Sequence, residues 1–155
     1  MSLAEIIEKY QKEIADESIL IEYNLFFTNV VKQDCKFVLD DSTEIRELDD
    51  ILLTIKRIDK NAEIYVSTYG ISYLNNKIFI YADTLWINTI MEIKEISNLF
   101  KNNPNIEPSD IALWDEDETM DGAAALVVLE DGKGESYKSL IEKREPGKIK
   151  SLYWD

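Results

Sequence analysis

The densest run of side chains able to do chemistry is Asp115-Glu116-Asp117-Glu118-Thr119-Met120-Asp121-Gly122. Closely spaced oxygens of this kind suit a hard divalent cation. The EF-hand loop sets the strictest requirement: oxygens at its first, third and fifth positions, glycine at the sixth and a bidentate glutamate at the twelfth. Counted from Asp115, the third and fifth positions are Asp117 and Thr119, both suitable, but the sixth is Met120 and the twelfth is Leu126. The glycine for the sharp turn and the carboxylate that closes the cage are both missing. The run therefore reads as a solvated acidic loop, and no metal or other cofactor is expected.

The rest of the chain narrows the chemistry further. It contains no histidine, which removes Ser-His-Asp and Cys-His nucleophile systems, imidazole bases and metal sites that need imidazole. Cys35 is the single cysteine, so paired-thiol redox chemistry and an intramolecular disulfide are excluded. No phosphate-binding glycine loop, dinucleotide fingerprint or nucleophile elbow occurs. Carboxylate, lysine and tyrosine chemistry remain, and carboxylates are too plentiful for any one pair to stand out.

Charge is the larger signal. Seventeen Lys and Arg against 31 Asp and Glu leave a net charge of -14 over 155 residues. Such a surface repels phosphate backbones and anionic lipid, so neither nucleic acid nor a membrane is expected as a partner. It suits solubility, or a basic protein reached by electrostatic steering. No basic residue lies between Lys101 and Lys133, whereas the segment from Lys133 to Lys150 is rich in lysine. Paired within a sheet, these stretches would help set strand register. As a binding patch, the acidic stretch has Trp114 as its aromatic anchor, with Asp115, Asp117 and Asp121 beside it. A second acidic stretch, Asp34 to Asp50, with Asp40, Asp41, Glu44, Glu47, Asp49 and Asp50, is explained mainly by helix capping and the helix dipole.

The elements that must position these groups are legible in the hydrophobic pattern. Leu3, Ile6, Ile7, Tyr10 and Ile14 recur at helical spacing and predict a first amphipathic helix ending near Asp16. The near-continuous apolar run from Ile19 to Val31 predicts a strand covered on both faces, with Cys35-Phe37-Leu39 as its partner and Cys35 facing inward as an inert thiol. Asp41 and Glu44 form an N-terminal cap signal for a second helix through Ile45, Leu48, Leu52 and Ile55 to about Ile58. Residues 62–69 alternate, placing Ile64, Val66 and Thr68 on one side.

Asn75-Asn76, between two β-rich runs, predicts a tight hairpin, and the aromatics Tyr65, Tyr69, Tyr73, Tyr81 and Trp86 read as sheet packing. Thr89 and Glu92 mark the start of a third helix, stopped at Asn102-Asn103-Pro104. Beyond it, residues 109–114 read as a short helical turn. Residues 123–130, 136–141 and 149–154 read as strands of an antiparallel meander, with a helix over 137–144 as the alternative.

The expectation is thus an α+β fold in one domain, residues 1–155: an antiparallel sheet of hairpins and a C-terminal meander, packed with about three helices. No secretory signal pattern opens the chain, and its longest apolar run, Ala123 to Leu129, falls far short of the ~20 residues a bilayer requires. A cytoplasmic location is expected. The leading functional reading is a non-catalytic protein-binding module with an acidic face, of which a bacterial toxin-neutralising immunity-type protein is one instance. The alternatives are a carboxylate-dependent hydrolase or lyase, with Mg²⁺ held by Asp115, Asp117 and Asp121, and a self-associating structural subunit.

Overall fold

A computed structural model describes residues 3–11, 19–31, 35–74, 77–113, 126–128, 131, 133–136 and 149–155. The fold is α+β. Among the described residues, eight strands form one sheet in the order β5-β8-β4-β3-β1-β6-β7, with β2 also paired to β4. The strands are β1 (Ile19–Glu22), β2 (Cys35–Phe37), β3 (Glu63–Leu74), β4 (Lys77–Asn88), β5 (Asp110–Leu113), β6 (Leu126–Val128), β7 (Gly134–Ser136) and β8 (Ile149–Tyr153). The helices are α1 (Leu3–Gln11), α2 (Tyr23–Val31), α3 (Ser42–Ile58) and α4 (Ile93–Leu99), with a 3₁₀ turn at Pro104–Ile106.

The centre is the hairpin β3–β4, in which Leu74 pairs with Lys77 across the two-residue connection that the Asn pair predicts. Its register shifts between Ser67 and Ile71, next to Gly70, where the extra residue of a bulge re-aims the strand. Ile64, Val66 and Thr68 are buried, and they pair with Ile87, Leu85 and Ala82 of β4. Ile21 and Ile19 of β1 lie opposite Val66 and Thr68, so the core face runs unbroken across three strands. Against it pack Leu3 and Ile7 of α1, Phe26 of α2, the Leu48-Ile51-Leu52-Ile55 face of α3, and Ile96 of α4. The helical periodicity of α1 and α3 thus does what the sequence requires: one stripe is buried and the charged residues stay outside.

Five sequence expectations need correction. The apolar run 19–31 is not one strand: β1 ends at Glu22, and Tyr23–Val31 is helical. Tyr23 and Phe26 are buried, Phe27 and Val30 half-buried, and Asn24 and Thr28 exposed, which is helical and not alternating burial. The turn into the helix is fixed by Glu22, whose carboxyl accepts a hydrogen bond from the Leu25 amide at 3.1 Å. β-Branched and aromatic residues favour strands intrinsically, but here tertiary packing overrides them. Phe26 and Phe27 both meet Phe37 edge-on, and Phe37 meets Trp154.

β2, second, does not pair with β1. It runs parallel to β4, with Cys35 opposite Ile80. Cys35 and Phe37 are buried, as their alternation predicts. Third, α4 starts three residues later than the Thr89 signal implies. The amide of Glu92 donates to Glu95, and Thr89 is used elsewhere. Fourth, the C-terminal strands do not form a continuous meander. β6 and β7 are an antiparallel hairpin beside β1, whereas β8 crosses to the other end of the sheet, between β4 and β5. Fifth, residues 110–113, read as part of a helical turn, form the edge strand β5.

Candidate functional site

α2 and α3 flank a groove of about 600 Å³ lined by Asn24, Phe27, Thr28 and Val30 on one side and Ser42, Ile45, Arg46 and Asp49 on the other. Both sets follow helical spacing, so the groove runs along one face of each helix for about two turns, or ~10 Å. Phe27, Val30 and Ile45 are half-buried and form its apolar floor, while Asn24, Thr28, Ser42, Arg46 and Asp49 are exposed along its rim. Phe27 is held by edge contacts to Phe26 and Phe37, with ring centroids 5.4 and 5.5 Å away.

α3 brings strong charge to one rim. Between Asp40 and Asp50 stand six acidic residues (Asp40, Asp41, Glu44, Glu47, Asp49, Asp50) and one basic residue, Arg46. Capping accounts for only part of this. The Asp41 carboxyl accepts from the amides of Thr43 at 2.8 Å and Glu44 at 3.4 Å, which is the N-cap its sequence signal predicts. Asp40 pairs with Lys36 at 3.6 Å on the open surface, and Glu47 accepts from Asn105 at 3.4 Å. Among the described residues, the side chains of Glu44, Asp49 and Asp50 have no hydrogen bond or ion pair. At the groove mouth, partial desolvation raises the Asp49 carboxyl above its ordinary pKa, and the like charge of Asp50 adds to the shift.

A second, smaller cleft of about 400 Å³ is lined by Glu22, Lys56, Glu63, Tyr65 and Asp131, among others. Its carboxylates have local structural partners. Glu22 accepts from Leu25, and Glu63 accepts from the Tyr65 hydroxyl at 2.5 Å. Lys56 lies over the ring of Tyr23, 4.9 Å from its centroid. Among the described residues, no group of three or more cysteine or carboxylate side chains is gathered as metal ligands would be.

The most deeply set polar cluster joins α3 to the start of the β4–α4 connection. Asp59, 7% exposed, accepts from the Thr89 hydroxyl at 2.7 Å, the Ile90 amide at 3.0 Å and the Asn61 amide at 3.1 Å. Lys150, on the core side of β8, donates from Nζ to the Thr89 carbonyl at 2.7 Å. No groove described here opens onto this cluster, and its geometry is that of a clasp between elements.

The patch expected from the sequence, Trp114, Asp115, Asp117 and Asp121, lies outside the described residues. The α2 wall of the groove is not predicted from the sequence, because the apolar run 19–31 favours a strand. Its signal was present: Tyr23, Phe26, Phe27 and Val30 fall at i, i+3, i+4 and i+7. Among the described residues, no helix is long and apolar enough to cross a membrane. Compared with protein-family models, with curated proteins and with solved structures, the chain gives no match.

Proposed function

We propose that this chain is a non-catalytic protein-binding module that engages a basic protein through an acidic face, as a toxin-neutralising immunity-type protein would. The observation that supports the reading best is the rim of α3, where Glu44, Asp49 and Asp50 stand without ion-pair partners among the described residues, beside an apolar groove. An enzyme gathers perturbed groups in a recess around a reacting atom. Here the carboxylates fringe an open surface. A net charge of -14 draws a cationic protein in from a distance, and the apolar floor gives it something to bury on arrival.

Affinity capture from the source lysate at low ionic strength, followed by stepwise elution with salt, tests this reading. The expected result is a basic protein retained at low salt and released at moderate salt. A lysate from which no basic protein is retained contradicts it.

A further inference from the structure

We propose that the groove between α2 and α3 seats one basic amphipathic helix of a partner protein, its apolar side on Phe27, Val30 and Ile45 and its Lys or Arg side chains toward Asp49 and Asp50. This rests on the reading of the chain as a binding module for a basic partner, and adds the place and the form of the bound segment.

The form follows from the walls. Both are helices, whose main-chain donors and acceptors bond within the helix except in its end turns, so the groove offers mainly side chains and no strand edge. An extended segment would bring its own unpaired amides and carbonyls and find no ladder to join. A helix arrives with its backbone already satisfied and presents residues at i, i+3 or i+4, and i+7, the spacing at which Asn24, Phe27 and Thr28, and Ser42, Ile45, Arg46 and Asp49, line the site.

The charge of the occupant follows from the rim. A second copy of this chain would set two acidic α3 rims against each other, and a nucleic acid would do the same with phosphates. A cationic helix meets Asp49 and Asp50 with complementary charge. The Asp49 carboxyl, partly desolvated at the groove mouth and crowded by Asp50, is favoured in its charged form by an incoming ammonium or guanidinium group. Arg46, the one cation in this stretch, leaves a single position where an acidic residue of the partner is favoured, which helps fix its register.

The test uses the 155-residue chain labelled for amide NMR and three short peptides: a Leu/Lys sequence patterned as an amphipathic helix, its scrambled isomer of equal composition and charge, and a Leu/Glu counterpart. The expected result is that the amphipathic Leu/Lys peptide shifts the amides of residues 24–30 and 42–49 and binds at least tenfold tighter than its isomer. The doubly substituted Asn24→Lys/Thr28→Lys chain, changed only at exposed positions, should lose that advantage, with binding of the amphipathic peptide weakened far more than that of the isomer of equal charge. Asp49→Lys, a second variant, should weaken the Leu/Lys peptide and leave α2 intact. Equal affinity for peptide and isomer, or shifts centred away from the groove, overturns the groove proposal and leaves the acidic-module reading standing. Groove amides that shift with protein concentration alone assign the site to a second copy and likewise overturn it. Cationic peptides that bind no better than the anionic one at low salt overturn both.

Discussion

Replacing Asp59 by alanine is expected to destabilise the fold by about 2–4 kcal/mol, because it leaves the donors on the β4–α4 connection without their acceptor. Donors that converge on this carboxyl include the Thr89 hydroxyl at 2.7 Å, the Ile90 amide at 3.0 Å and the Asn61 amide at 3.1 Å. They do not count equally. Asn61 is exposed, so water replaces the lost acceptor at little cost. Thr89 is 2% exposed and its hydroxyl also accepts from the Met91 amide at 3.2 Å, so neither group can turn to solvent. Each buried donor left unsatisfied costs about 1–3 kcal/mol, and the Ile90 amide, only partly buried, falls at the lower end. Asp59→Asn keeps one acceptor oxygen and should cost about half as much. Urea unfolding followed by tryptophan fluorescence, to which the buried Trp154 contributes, reads the effect. In a thermal melt the alanine variant should fall by roughly 4–16 °C, from a shift of 2–4 °C per kcal/mol at this chain length. A double-mutant cycle with Thr89→Val should show coupling of about 1 kcal/mol. An alanine variant within 0.5 kcal/mol of the parent, or a cycle with no coupling, would refute the clasp.

Two further outcomes follow from single contacts. Asp49 has a raised carboxyl, so its ionisation opposes folding above that raised value, and the penalty disappears as pH falls toward the ordinary carboxylate range. Asp49→Asn should therefore be slightly more stable than the parent at neutral pH, by no more than about 0.5 kcal/mol at an exposed site, with the gap closing in acid; paired urea titrations across pH check the sign. Trp154 donates from its ring nitrogen to the Ile106 carbonyl at 2.8 Å and meets both Phe37 and Phe100 edge-on. Trp154→Ala should cost about 3–5 kcal/mol in chemical denaturation, and a loss under 1 kcal/mol would remove it from the core.

How much of this the sequence carried depends on whether local and tertiary preferences agreed. At α3 they did. Asp41, the Leu48-Leu52-Ile55 stripe and the end at Ile58 are all where periodicity and capping rules place them. The β3–β4 hairpin was equally legible, since its turn chemistry and flanking alternation point the same way. At α2 they conflicted. Phe26, Phe27, Val30 and Val31 carry strand propensity, while core packing of Tyr23 and Phe26, the edge contacts to Phe37 and the Glu22 hydrogen bond favour the helix. One wall of the candidate groove was hidden for that reason.

Strand order was hidden for a different reason. Nothing local to residues 149–153 states that they pair with residues 84–88 and 110–113 in place of their sequence neighbours. Thr89 shows how a correct residue type can serve another end. It looks like a helix cap, yet it is buried against Asp59, and the Glu92–Glu95 pair opens the helix. The acidic stretch from Asp40 to Asp50 was visible in the sequence, but not the groove beside it, because the groove exists only once α2 and α3 are both placed.

The most direct measurement of the proposed function is the association rate of this chain with a basic protein retained in the affinity capture, followed across ionic strength. Charges near a protein surface are screened beyond ~10 Å at 0.1 M salt. Steering by a net charge of -14 therefore predicts a rate that falls steeply from low to physiological salt, while the dissociation rate changes much less. An association rate that stays flat over the same range would contradict it.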